Sequence, residues 1–201
     1  MTASAKKRTP AKLTLMAMLV AVLVVLAYVN IPMPMGLSIT FNMIPVAIAA
    51  MAMGIPGGAG IGAAFGLISF LQCFGICGYS GMGAALVTVS PFMMFVQRFV
   101  SRVLVGVLAA LVYKGMNRTK APLAVRGAVT GFAAAFCNTL FFMSLLVLLF
   151  GNTEYIQNQM AGRSVLTYLV TSVGINAVVE MTVAAIVTGA IGAALRKARL
   201  I

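Results

Sequence analysis

The stretch PFMMFVQRFVSRVLVGVLAALVY, from Pro91 to Tyr113, decides the fold. Apart from Gln97, Arg98, Ser101 and Arg102 it carries almost nothing polar. As a helix it would extend roughly 34 Å, enough to cross the hydrocarbon of a bilayer. An arginine in such a segment is expensive, and Arg98 and Arg102, four residues apart, project from one helical face. The stretch therefore predicts a membrane helix with a cationic face turned towards the inside of a bundle.

Working outward, no charged residue occurs between Lys12 and Arg98, and the only other charge well inside an apolar segment is Glu180. The residues are 62% hydrophobic and 8% charged. They gather in apolar runs of about twenty, the length of a membrane span. We expect one integral-membrane domain over residues 1–201 and no appended catalytic module.

The basic residues set the orientation. Lys6, Lys7, Arg8 and Lys12 precede the first span; Lys114, Arg118, Lys120 and Arg126 fill one connecting loop; Arg196, Lys197 and Arg199 close the chain. Segments 31–41, 74–90 and 151–164 hold only Arg163 among basic residues. By the positive-inside rule both termini are cytoplasmic, and the number of crossings is even. The net charge of +12 thus reflects topology, not nucleic acid, and the basic fringe favours anionic headgroups. The alternative reading of the start is a secretory signal, Leu13 to Ala27, with small residues near Val25-Leu-Ala.

The expected fold is an all-α integral membrane protein, a six-transmembrane-helix bundle with spans at about 13–30, 41–54, 57–74, 91–113, 123–150 and 165–195. Ile31-Pro-Met-Pro-Met-Gly36 stops the first span, and Ile55-Pro56-Gly57 makes a tight turn between the second and third. Span two is short, so spans two and three as a re-entrant hairpin are the alternative, with the same parity. Gly58, Gly62 and Gly66 recur on one helical face, which lets another backbone approach closely; Ala17 and Ala21 do the same on span one.

Little catalysis fits these residues. There is no histidine, and the only acids, Glu154 and Glu180, lie far apart in the topology. Acid–base chemistry by paired groups is thereby disfavoured, and with it a lipid-processing enzyme. Cys73 and Cys77 are four apart and Cys137 is distant, a weak metal pattern in residues that are often simply buried. No metal or cofactor is expected. No glycine-rich phosphate loop ending in Lys-Ser/Thr is present, so ATP-driven transport would need another subunit.

Counted inward from the outer ends of the spans, Arg98 lies roughly 10 Å deep, Arg102 and Asn176 roughly 16 Å, Asn138 roughly 18 Å and Glu180 roughly 22 Å. These residues share a layer. Two cations and one anion leave surplus positive charge, suited to a ligand carboxylate that matches the planar fork of arginine. The competing reading has Glu180 neutralising Arg102, Arg98 snorkelling outward, and the asparagines bonding between helices in a ligand-free structural subunit.

The order of features resembles the substrate-binding S component of energy-coupling factor vitamin transporters. The resemblance rests on the basic start, Ala17-x-x-x-Ala21, the Pro/Gly loop, Asn42-Met-Ile-Pro45, Gly54-Ile-Pro-Gly-Gly-Ala-Gly60 and Phe65-Gly-Leu-Ile-Ser-Phe70. It is most similar to pantothenate-type members through Ser90-Pro91-Phe92, Ser101-Arg102-Val-Leu-Val-Gly106 before Tyr113-Lys114, Cys137-Asn138-Thr139, and Gly174-Ile-Asn176 with Glu180. Ser101 stands where those relatives usually carry proline. The resemblance implies a multi-pass protein of the bacterial cytoplasmic membrane that captures a vitamin from outside and works with a transmembrane coupling subunit (T component) and two ATPases. It implies pantothenate first, with folate, riboflavin or hydroxymethylpyrimidine as alternatives. Arg98 or Arg102 would hold the carboxylate; Asn138, Asn176 and Gln72 would hydrogen-bond the rest; Phe41 and Asn42 would close the lid. Glu180 would be the structural charge partner, and Ala17 and Ala21 would face the coupling subunit.

Overall fold

The computed structural model describes residues 2–29, 31–32, 38–160, 162 and 164–197. Asn30, residues 33–37 of the expected lid loop, Arg163 and Arg199 lie outside the described residues. Among the described residues the regular structure is helical but for one two-residue strand pair. Helix α1 is Thr2–Tyr28; β1 (Ile31–Pro32) pairs antiparallel with β2 (Ser38–Ile39); α2 is Met43–Leu71, followed by a 3-10 turn at Gln72–Phe74. Then come α3 (Gly81–Val87), α4 (Pro91–Met116), α5 (Leu123–Phe150), α6 (Glu154–Met160) and α7 (Val165–Lys197). The short helices α3 and α6 lie in segments expected as loops, and α1 begins well before Leu13.

Among the described residues, five segments are long and apolar enough to cross a membrane: Pro10–Tyr28, Met43–Phe74, Pro91–Met116, Leu123–Phe150 and Asn176–Lys197. Expected spans two and three fall together in the second of these. The break between them is at Gly54, just ahead of the expected Ile55-Pro56-Gly57 turn, with φ 69° and ψ −151°. That conformation is open essentially only to glycine. Pro56 then occupies the first turn of the second half, where a missing N–H costs nothing. A Cβ on Gly58 would meet Ala50 Cβ at 3.3 Å. Eight residues along an unbroken helix would be roughly 12 Å apart, so α2 bends sharply back at Gly54.

The glycine stripe positions α4. A Cβ on Gly58 would strike the carbonyl of Gly106, one on Gly62 the carbonyl of Arg102, and one on Gly66 the backbone of Phe99. Backbone therefore meets backbone along this face, where dispersion contacts and not the hydrophobic effect hold membrane helices together. Gly127 and Gly131 play the same part between α5 and α7, against the carbonyls of Thr188 and Ala184. Helix α1 packs on α2. It buries Leu19, Leu23 and Ala27, spaced by one helical turn, and leaves Ala17 and Ala21 exposed on another face.

Candidate functional site

The glycine contacts bring the arginine face of α4 against the far half of α2. Ser90, the N-cap, accepts from Met93 N at 3.4 Å, and Pro91 follows in the first turn, so α4 starts where its sequence says it should. About two and three turns inside, Arg98 and Arg102 are 6% and 5% exposed. They line a cavity together with Asn42, Gln72, Asn138, Asn176 and Glu180. Seven candidate residues, from α4, α5, α7, the N-cap of α2 and the turn after α2, thus share one space. Phe41 is not among the residues that line it. Room for the centres of water-sized groups amounts to about 90 Å³, which suits a small molecule.

The two guanidiniums are held differently. Arg98 donates from Nη1 to Ser69 Oγ at 3.0 Å and from Nη2 to Ser80 Oγ at 2.9 Å. Ser80 is also the N-cap of α3, accepting from Gly83 N at 3.3 Å, so Arg98 ties α3 to α2 and α4. Arg102 donates from Nη1 to Ser101 Oγ at 3.0 Å, and Ser101 Oγ donates to Gln97 O at 2.6 Å. Serine at this position therefore keeps α4 regular and supplies a support for Arg102 that proline lacks. Both guanidiniums lie over the Phe142 ring, at 5.1 and 4.6 Å from its centroid, and Arg102 also lies 4.9 Å from that of Phe65. Aromatic faces stabilise desolvated cations without neutralising them.

Glu180 has a direct partner outside α4. Its Oε1 accepts from Thr40 N at 2.7 Å and from Thr40 Oγ1 at 3.4 Å, binding the chain just after β2 to α7. Neither arginine donates a hydrogen bond to it among the described residues, although it shares their cavity. Gln72 is also committed: its Nε2 donates to Ala27 O at 3.0 Å and Cys77 O at 3.2 Å, tying the end of α1 to the turn after α2.

Other polar atoms in the wall have no partner within the protein. Arg98 Nε, Arg102 Nε and the Oδ1 atoms of Asn42, Asn138 and Asn176 are all buried in this condition. Since amide oxygen and nitrogen are assigned and not observed, the asparagine atoms stand for donor or acceptor. Leaving such a group unsatisfied costs about 1–3 kcal/mol, and five of them belong to residues that line one cavity.

Several wall residues escape a search for charges and amides: Thr40, Phe65, Ser69, Ser80 and Phe142. Helical spacing offers the signal for some. Phe65 and Ser69 stand one turn apart and Gln72 nearly a turn further, and Phe142 follows Asn138 by four. Ser80 has no such signal, because only packing brings α3 to α4.

The comparisons agree with this architecture. A family model described as "ECF transporter, substrate-specific component" matches residues 11–192. Among curated proteins nothing matches. The match reaches into all five long apolar segments and takes in every residue that lines the cavity, in a family devoted to transport and not to catalysis. Such a component captures a vitamin-type substrate for a transporter that also contains transmembrane and ATPase components. A multi-pass helical chain with a polar, cation-walled cavity, matched over nearly its whole length, belongs to the family of ECF transporter substrate-specific components.

Proposed function

We propose that this chain captures pantothenate, a small anionic vitamin, with Arg102 as the principal contact of the carboxylate and Arg98 beside it. The observation that carries this reading is the pair of buried guanidiniums over one Phe142 face, each with an unpartnered Nε, facing a cavity whose only acid is held by Thr40. Arg98 spends two of its donors on serines, whereas Arg102 spends one on its neighbour, which favours Arg102 for direct contact. Asn138 and Asn176 would pair with the hydroxyls and amide of the ligand; Gln72, its nitrogen already committed, would accept; Phe41 and Asn42 would close the site from the lid side. The unpartnered asparagine oxygens speak against the ligand-free structural alternative, which needs them bonded between helices.

The same proposal has six crossings, with α2 passing twice about Gly54, both termini cytoplasmic, and the chain resident in the bacterial plasma membrane. There it joins a transmembrane coupling subunit and two ATPases as an ABC-type importer. Calorimetry on purified protein tests the ligand. Pantothenate should bind saturably, and Arg102→Ala should weaken it by about tenfold or more, the scale of one charge-assisted contact. Equal affinity in Arg102→Ala, Arg98→Ala and the parent would refute the carboxylate assignment. Saturable binding of folate, riboflavin or hydroxymethylpyrimidine with no response to pantothenate would replace the substrate.

A further inference from the structure

A second pocket gathers charge at the opposite, basic end of the bundle. Met51 of α2, Tyr113 and Asn117 at the end of α4, Leu123 and Arg126 at the start of α5, and Arg196 near the end of α7 line it. Arg126 donates from Nη1 to Asn117 Oδ1 at 2.8 Å, while its Nε is buried with no partner. The chain has only two acids; Glu180 lines the other cavity and Glu154 heads α6. No carboxylate among the described residues therefore faces this pocket, and two arginines line it without a counter-ion among them.

The surroundings deepen the imbalance. Arg126 sits in the first turn of α5, the end at which the helix dipole disfavours a cation. Lys114, Arg118, Lys120 and Lys197 lie within a few residues of the lining. Positive-inside topology explains why basic residues sit at this end, but not why two arginines from different helices share one pocket with a tyrosine and an asparagine. The forked guanidinium matches the tetrahedral oxyanion of a phosphate, with two parallel N–H donors per arginine.

We propose that this pocket binds a phosphate group, with Arg126 and Arg196 taking its oxygens and Tyr113 and Asn117 completing the shell. The group belongs either to an anionic phospholipid at the membrane surface or to a soluble phosphate compound; the contacts are the same. The test uses the full chain, the double variant Arg126→Gln/Arg196→Gln, and Lys114→Gln/Lys120→Gln, which removes equal charge from outside the pocket. Native mass spectrometry reads retained phosphatidylglycerol against phosphatidylcholine, and calorimetry reads inorganic phosphate. The parent and the lysine variant should hold one or both probes about tenfold or more tightly than the arginine variant. Phosphatidylglycerol alone identifies the lipid source, and inorganic phosphate binding identifies the soluble one. Thermal melting without either probe checks folding; should the double variant melt early, Arg196→Gln, at an exposed position, carries the comparison. Equal binding by all three proteins, or binding by none, overturns the proposal. So does loss of coupling-subunit capture in the arginine variant with no phosphate response, which would assign the pocket to a protein carboxylate.

Discussion

At the scale of single residues, Arg98 and Arg102 look alike in sequence and differ in the folded chain. Arg98 is a brace between α2, α3 and α4; Arg102 rests on Ser101 and two aromatic faces. Arg102→Lys should therefore bind an anionic vitamin better than Arg102→Ala but worse than the parent, because lysine keeps the charge and loses the fork. Equilibrium binding of the three proteins decides this, and a lysine variant equal to alanine would contradict it. Glu180 separates charge from hydrogen bonding in the same way. Glu180→Gln keeps an acceptor for Thr40 and removes the only acid of the cavity, so affinity for an anion should stay level or rise. Glu180→Ala frees Thr40 and should speed ligand release. Stopped-flow dissociation rates compare the two, and identical rates would show that Thr40 needs no anchor.

At the scale of elements, the glycine stripe of α2 and the break at Gly54 carry different demands. Gly62→Ala places a methyl group on the carbonyl of Arg102, and backbone cannot move aside cheaply. The expected loss is about 1–3 kcal/mol, read as a lower melting temperature in detergent, together with weaker vitamin binding because α4 is pushed outward. Gly54→Ala has open space around its Cβ but requires φ 69°, so its cost is conformational, again about 1–3 kcal/mol. Unchanged melting of either variant would remove the corresponding contact or strain from the account. The stripe was legible in sequence because its four-residue spacing has one reading on a helix. The position of the break was legible only to within a residue or two, since Gly54, Pro56, Gly57 and Gly58 all disfavour helix and only packing selects among them.

At the scale of the whole molecule, the bundle leaves one long face of α1 uncovered. Leu19, Leu23 and Ala27 face α2, while Ala17 and Ala21 stay exposed among Leu13, Met18, Val22 and Val25. A small-residue face on an outer helix permits close approach of a partner helix. Ala17→Leu/Ala21→Leu should leave vitamin affinity unchanged and reduce capture of the coupling subunit in co-purification. A loss of vitamin binding instead would place these alanines inside the fold of the bundle.

The sequence by itself determined the class and the long helices α4, α5 and α7. Hydrocarbon admits few charges and no free backbone, so composition and spacing constrain membrane helices strongly. Tertiary structure decided which partners those side chains take. Glu180 went to Thr40, Gln72 to Ala27, and Arg98 to serines on α2 and at the start of α3. None of these pairs follows from spacing along one helix, because each joins residues brought together only when separate elements pack and buried donors must find acceptors within reach.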